Sequence, residues 1–154
     1  MPRAEFDVET SLPPERVREL LLDFSERRPD IWPALERSLY EVYSVGETSA
    51  DVKEGSRMPG MTVWARERYD FSDAAKVRWT VQESNFCTPG SGVIVTLQPR
   101  EDGGTRAHVT WERVGTTFRG RAVIRLIALT GGRPIASYLK KTFRKLEDAE
   151  PASA

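Results

Sequence analysis

Residues 117–148 read TFRGRAVIRLIALTGGRPIASYLKKTFRKLED. Phe118, Ala122, Leu126 and Leu129 recur every three or four positions, and Ile135, Tyr138, Leu139, Thr142, Phe143 and Leu146 continue the spacing. That period belongs to a helix with one apolar face, and it predicts that these residues are the buried side. Arg119, Arg121, Arg125, Lys140, Lys141, Arg144 and Lys145 mostly fall off it, as the solvated side of the same helix. Gly131-Gly132 followed by Pro134 interrupts the run. Proline lacks the amide donor and clashes with the preceding turn, so a kink or short break is expected at 131–134. Almost everything upstream reads as strands. A sheet with one apolar face must have that face covered, and this helix is the long candidate for the cover.

Working back toward the N-terminus, four segments alternate with period two: 106–114, 92–98, 76–86 and 61–71. Asp102-Gly103-Gly104 is a hairpin signal between two of them. Residues 39–45 read as a further strand and 51–53 as the start of its return. Gly55-Ser56-Arg57-Met58-Pro59-Gly60 reads as a loop, since it carries two glycines and a proline. Residues 4–10, AEFDVET, put Phe6 and Val8 on one side of an opening strand. A short helix follows, with Thr10 or Ser11 as its cap and Val17, Leu20, Leu21 and Phe24 on its inner face. A second short helix is expected at 30–36, around Ile31, Trp32 and Leu35, with Pro33 in its first turn. Strands joined by hairpins, with the helices segregated, define an α+β fold.

A chain of 154 residues fits one domain with a real core. We expect that domain to span 1–154, with its core at about 4–148 and a frayed tail from Pro151. The 23 basic residues balance 23 acidic ones, so no overall field favours nucleic acid. Cys87 is alone, which excludes an internal disulfide and a cysteine-built metal site. A single histidine, His108, excludes a histidine-rich one. His108 falls on the outer phase of its strand, away from any site. Glu5 and Asp7 near the start argue against a signal peptide. No apolar run approaches the about 18–20 residues that span a bilayer. These features point to a cytoplasmic protein, monomeric or homodimeric.

The order of elements resembles the helix-grip fold of the START and Bet v 1-like (SRPBCC) superfamily, particularly its bacterial polyketide cyclase/dehydrase-like members. The resemblance is carried by the opening strand FDVET, the segment SLPPERVRELLLDF, the Trp32-Pro33 pair and the terminal helix. It implies a curved antiparallel sheet wrapped around the C-terminal helix, with two short helices after the first strand. It also implies that a small apolar molecule binds in a cavity between sheet and helix.

Alternation says which side chains would face such a cavity. The apolar phase of 61–71 includes Tyr69, and Glu67 shares it; that of 76–86 includes Trp79, and Glu83, Asn85 and Cys87 share it unless a bulge intervenes. The phase of 106–114 holds Trp111 and, at its end, Arg113. Glu67, Tyr69, Trp79, Glu83, Asn85, Trp111 and Arg113 are therefore the candidate ligand-binding residues. A buried charge is costly unless paired, so Glu67, Glu83 and Arg113 pair with one another or meet a polar group of a ligand. Two functions fit. One is a binding module for a lipid-, polyketide- or isoprenoid-like molecule. The other is an aromatase/cyclase-like enzyme, with Glu67 or Glu83 as base and Arg113 holding an oxyanion. No motif calls for a metal or another cofactor.

Overall fold

The computed structural model describes residues 2–150. The expected frayed tail, 151–154, lies outside the described residues. The chain forms β1 (Arg3–Thr10), α1 (Pro14–Leu21), α2 (Arg28–Ile31), a single 3-10 turn at Arg37–Leu39, and then six more strands. These are β2 (Glu41–Val45), β3 (Ser49–Met58), β4 (Met61–Asp70), β5 (Lys76–Ser84), β6 (Gly92–Pro99) and β7 (Thr105–Glu112). Two helices close the chain, α3 (Phe118–Leu129) and α4 (Arg133–Ala149). All seven strands lie in one antiparallel sheet, in the order β1-β7-β6-β5-β4-β3-β2. The opening strand pairs with the last, with Phe6 opposite Val109 and Val8 opposite Ala107.

The sheet curves, and the side that it turns toward α4 is the apolar one. Val8, Val52, Val77, Val81 and Val109 are fully buried on it, as their alternation demands. α1 adds Val17, Leu20 and Leu21. α4 lies across the same side, with Thr142 and Phe143 buried and Ile135, Leu139 and Leu146 half-buried. Phe143 meets Trp32 edge-on at 6.1 Å between ring centroids, a favoured aromatic geometry.

Several expectations are corrected. β3 runs straight through Gly55 to Met58, where a loop was expected at 55–60. The turn needs only Pro59-Gly60, with Gly60 at φ 71°. Gly55 serves close packing instead: a Cβ there would stand 2.7 Å from the Val63 carbonyl oxygen. The second short helix is Arg28–Ile31 rather than 30–36, with Pro29 in its first turn, where its missing amide costs nothing. Trp32 ends it and donates from Nε1 to the Leu20 carbonyl at 3.1 Å. α1 begins at Pro14, and Pro13 at the position before it supplies no side-chain cap. Thr10 is committed elsewhere: its hydroxyl donates to Glu147 on α4 at 2.7 Å.

The long helix breaks where expected. Gly131 and Gly132 take φ of 64° and 78°, a region open to glycine. Gly132 has a second constraint, since a Cβ would lie 2.6 Å from the Phe6 ring. The joint between the helices is thus seated on β1. The face expected for the first half is wrong. Phe118, Leu126 and Leu129 are 87%, 62% and 78% exposed, and Ala122 is exposed with them. α3 turns Gly120 and Ile124 inward instead. Its sequence carries two apolar stripes, and the break at Gly131 lets it rotate independently of α4.

Candidate functional site

β4 sets the site. Its inner phase is Val63, Ala65, Glu67 and Tyr69, all buried. Glutamate is depleted in strands and its charge resists burial, so Glu67 on this face is the exception to explain. Opposite it, β5 carries a bulge. Arg66 pairs with Glu83 but Glu67 pairs with Val81, leaving Gln82 as the extra residue. A bulge reverses the faces beyond it. Glu83 accordingly lies exposed on the outer face. Asn85 is exposed as well, accepting from the Trp64 amide at 2.9 Å and donating to the Thr62 carbonyl at 2.8 Å. Neither reaches the cavity, contrary to the phase expected for an unbulged strand.

The concave face, α4 and the segment after α1 enclose a cavity of about 340 Å³. Glu67, Tyr69, Trp79, Trp111 and Arg113 all stand on its wall. Trp79 stacks on Tyr69 at 5.2 Å between centroids. Arg113 follows β7, three strand positions from β4 in the sheet order. On a flat sheet those positions would lie about 14 Å apart. Here Arg113 Nη2 comes within 3.6 Å of Glu67 Oε1, which the curl of the sheet and a long side chain allow.

Two more charged residues stand on the same wall, and sequence reasoning missed both. Arg28 is buried, Glu54 is half-buried, and the two meet at 3.1 Å. Arg28 also donates to the carbonyls of Leu21 at 2.8 Å and Asp23 at 3.0 Å, and to the Tyr69 hydroxyl at 3.1 Å. The Tyr69 hydroxyl in turn donates to Glu54. Glu54 was hidden by the reading of Gly55 as the start of a loop. Carrying the strand on would have put it on the phase of Ala50 and Val52. Arg28 gives no such signal in a polar stretch.

The electrostatics of the two groups differ. Burial pushes the Glu67 carboxyl up to about 7; Arg113 opposes that rise and Glu54 adds to it. Glu67 Oε2 is buried and has no hydrogen-bond partner among the described residues. Burial also drives the Tyr69 phenol well above its usual value, and Glu54 reinforces this, so it stays a neutral donor. Burial presses Arg28 toward losing its proton, but Glu54 and Tyr69 outweigh this and hold it charged. His108 lies on the outer face between Asp7 and Glu5, each 2.7 Å away, and their hydrogen bonds raise its pKa. Cys87 is buried beside Ser84, with Arg113 Nη1 3.7 Å from its sulfur.

This architecture is the helix-grip fold, and solved structures share it. TTHA0849 from Thermus thermophilus is 20% identical with a TM-score of 0.77, over 97% of this chain and 100% of that one. The Zhui aromatase/cyclase from Streptomyces sp. R1128 is 15% identical with a TM-score of 0.77, over 99% of this chain and 98% of that one. A START superfamily protein from Mycobacterium smegmatis is 12% identical with a TM-score of 0.75, over 94% and 98%. Among curated proteins, none matches the chain. Residues 1–149 match the family described as polyketide cyclase/dehydrase and lipid transport, and the chain belongs to that family. No helix among the described residues is long and apolar enough to cross a membrane.

Proposed function

We propose that the protein binds a hydrophobic small molecule, of lipid, polyketide or isoprenoid kind, in the cavity between the sheet and α4. The observation that carries this is a cavity of about 340 Å³ whose mostly apolar wall holds the buried Glu67–Arg113 pair. Small-molecule sites combine apolar walls with a few placed polar groups, and volumes from about 300 Å³ upward are typical. The family supports the same reading, since its description covers both cyclases and lipid transport. Titration with an environment-sensitive apolar dye tests it. Saturable one-to-one binding with the fold retained is expected. A folded protein that shows no saturable binding overturns the proposal.

A second reading, an aromatase/cyclase-like enzyme, is favoured by one observation. Glu67 is a buried carboxyl brought to about 7, where a group can both accept and return a proton near neutrality. Arg113 beside it would stabilise a developing oxyanion. In that case Glu67→Gln keeps the shape and removes the acid. Turnover of a polyketide-like substrate would fall roughly 10²–10⁴-fold with binding largely kept. A pure binder would show no turnover in either protein.

A further inference from the structure

The two charged groups on the cavity wall are finished to different degrees. Arg28 has an oxygen acceptor for Nε and for both terminal nitrogens, and Glu54 is bonded through both oxygens. Every nitrogen of that guanidinium and both carboxylate oxygens thus have a hydrogen-bond partner within the protein. Arg113 is not complete. Its Nη2 stands 3.6 Å from Glu67, beyond hydrogen-bond length. Its Nη1 meets only the Cys87 sulfur at 3.7 Å, a weak acceptor. Its guanidinium lies 5.8 Å from the centroid of the Phe86 ring. Nearly buried, it has no oxygen acceptor within hydrogen-bond length among the described residues. Glu67 Oε2 is buried and unpartnered a few ångströms away. A nearly buried guanidinium and a buried carboxyl, side by side with free hydrogen-bonding capacity, are groups that the polar atoms of a ligand can satisfy.

We propose that the cavity takes an amphipathic monocarboxylate, its carboxylate on the Arg113 guanidinium and hydrogen-bonded by Glu67, its apolar body against Trp79 and Trp111. This rests on reading the cavity as a ligand site. A carboxylate matches the planar fork of a guanidinium and accepts two parallel bonds from it. Protonated Glu67 then donates its proton toward the ligand instead of repelling it. Charge counting favours an anion. With Glu67 neutral, the wall holds Arg28 and Arg113 against Glu54, one positive charge in surplus. The groups facing Glu67 permit that state. Arg113 and Arg28 favour its ionised form, whereas desolvation and Glu54 favour the neutral one. Tyr69 on the same strand is neutral and committed to Glu54. Tyr138 on α4 is neutral too and accepts from the Ala34 amide at 3.1 Å. Desolvation prevails, bringing the carboxyl to about 7, so the proton is at hand near neutrality.

The test uses the full chain and three ligands of one body: dodecanoic acid, dodecanol and methyl dodecanoate, each below its micellar concentration. Displacement of an apolar dye is followed from pH 6 to 8.5, where the ligand carboxyl stays ionised. The acid is expected to displace the dye about tenfold or more better than the ester at pH 6.5, the worth of one charge-assisted contact. Its advantage should shrink as pH rises past neutrality and Glu67 ionises. Glu67→Gln, which keeps an N–H donor, should retain the preference for the acid and lose its pH dependence. Arg113→Gln should level the three ligands. The wild-type series decides without the variants, should either fail to fold. Equal displacement by acid and ester, or tighter binding of the alcohol, overturns the proposal while dye binding leaves the cavity reading intact. Failure of the dye itself to bind the folded protein removes both.

Discussion

α3 and α4 come from one continuous apolar pattern and end in opposite circumstances. α4 has a single stripe with lysines and arginines opposite, and that stripe is seated: Phe143 is 3% exposed and Thr142 is buried beside it. α3 is held at fewer points. Ile124 is its one fully buried large side chain. Ile127 is half-buried against the core beside it, and three polar ties add to these: the Thr117 hydroxyl caps its start by accepting from the Gly120 amide at 3.0 Å, Arg119 donates to the Gly60 carbonyl at 3.0 Å, and Arg121 donates to the Gly115 carbonyl at 3.2 Å. Periodicity selects a face only when the helix offers one. Where two stripes compete, the tertiary joint decides, and here the joint is Gly131-Gly132 against Phe6.

The largest effect is expected from Phe143→Ala in α4. Removing a buried aromatic packed on Trp32 should cost about 3–5 kcal/mol in urea unfolding. Ile124→Ala, at the single anchor of α3, should cost about 2–3 kcal/mol, because a helix held at few points can partly close the void. If Ile124→Ala cost as much as Phe143→Ala, the two helices would be equally embedded. Smaller again is Glu147→Gln, which probes the polar tie of α4 to β1. Glu147 Oε1 accepts from the Thr10 hydroxyl and the Ser11 amide, both at 2.7 Å. Burial pushes its carboxyl up, but these hydrogen bonds outweigh burial and leave it below its usual value of 4.5. A depressed carboxyl stabilises the fold above the unfolded pKa and loses that stabilisation as pH falls. The variant should therefore be less stable by about 1 kcal/mol at pH 7. That gap should close as pH drops below 4.5. A gap that persists in acid would mean the charge is not what matters. Smallest of all, Leu126→Asp should move stability by no more than about 0.5 kcal/mol, since the side chain already stands in water. A large loss would return Leu126 to the core.

Much of the fold was legible because alternation is a local signal. Val93, Val95 and Leu97, or Ala107, Val109 and Trp111, carry their own phase, and each group is buried. The helix break was equally local, written in Gly131, Gly132 and Pro134. Legibility failed where an outcome depends on a partner. The bulge at Gln82 is a relation between two strands, and nothing in residues 76–86 announces it, so the placing of Glu83 and Asn85 could not be foreseen. Gly55 reads as a loop until its neighbour Val63 is in place. Arg28 is polar among polar residues until Glu54 arrives from β3. Glu67 was visible because it breaks a rule within its own strand, and Arg113 because it extends the phase of Trp111.

The pairing of β1 with β7 has a consequence for how the molecule comes into being. Phe6 must find Val109, some hundred residues later in the chain, while β3 and β4 are joined by a tight turn and can zip as soon as both exist. Contacts of such long sequence separation close slowly, because the loop entropy is lost before the pairing returns anything. During synthesis β1 emerges well before β7 and must wait for it. Until then Phe6 and Val8 have no sheet to enter, and the β1 surface on which the α3–α4 joint sits is not held in place. The cavity is therefore among the last features of the domain to exist, assembled only when β1 and β7 meet.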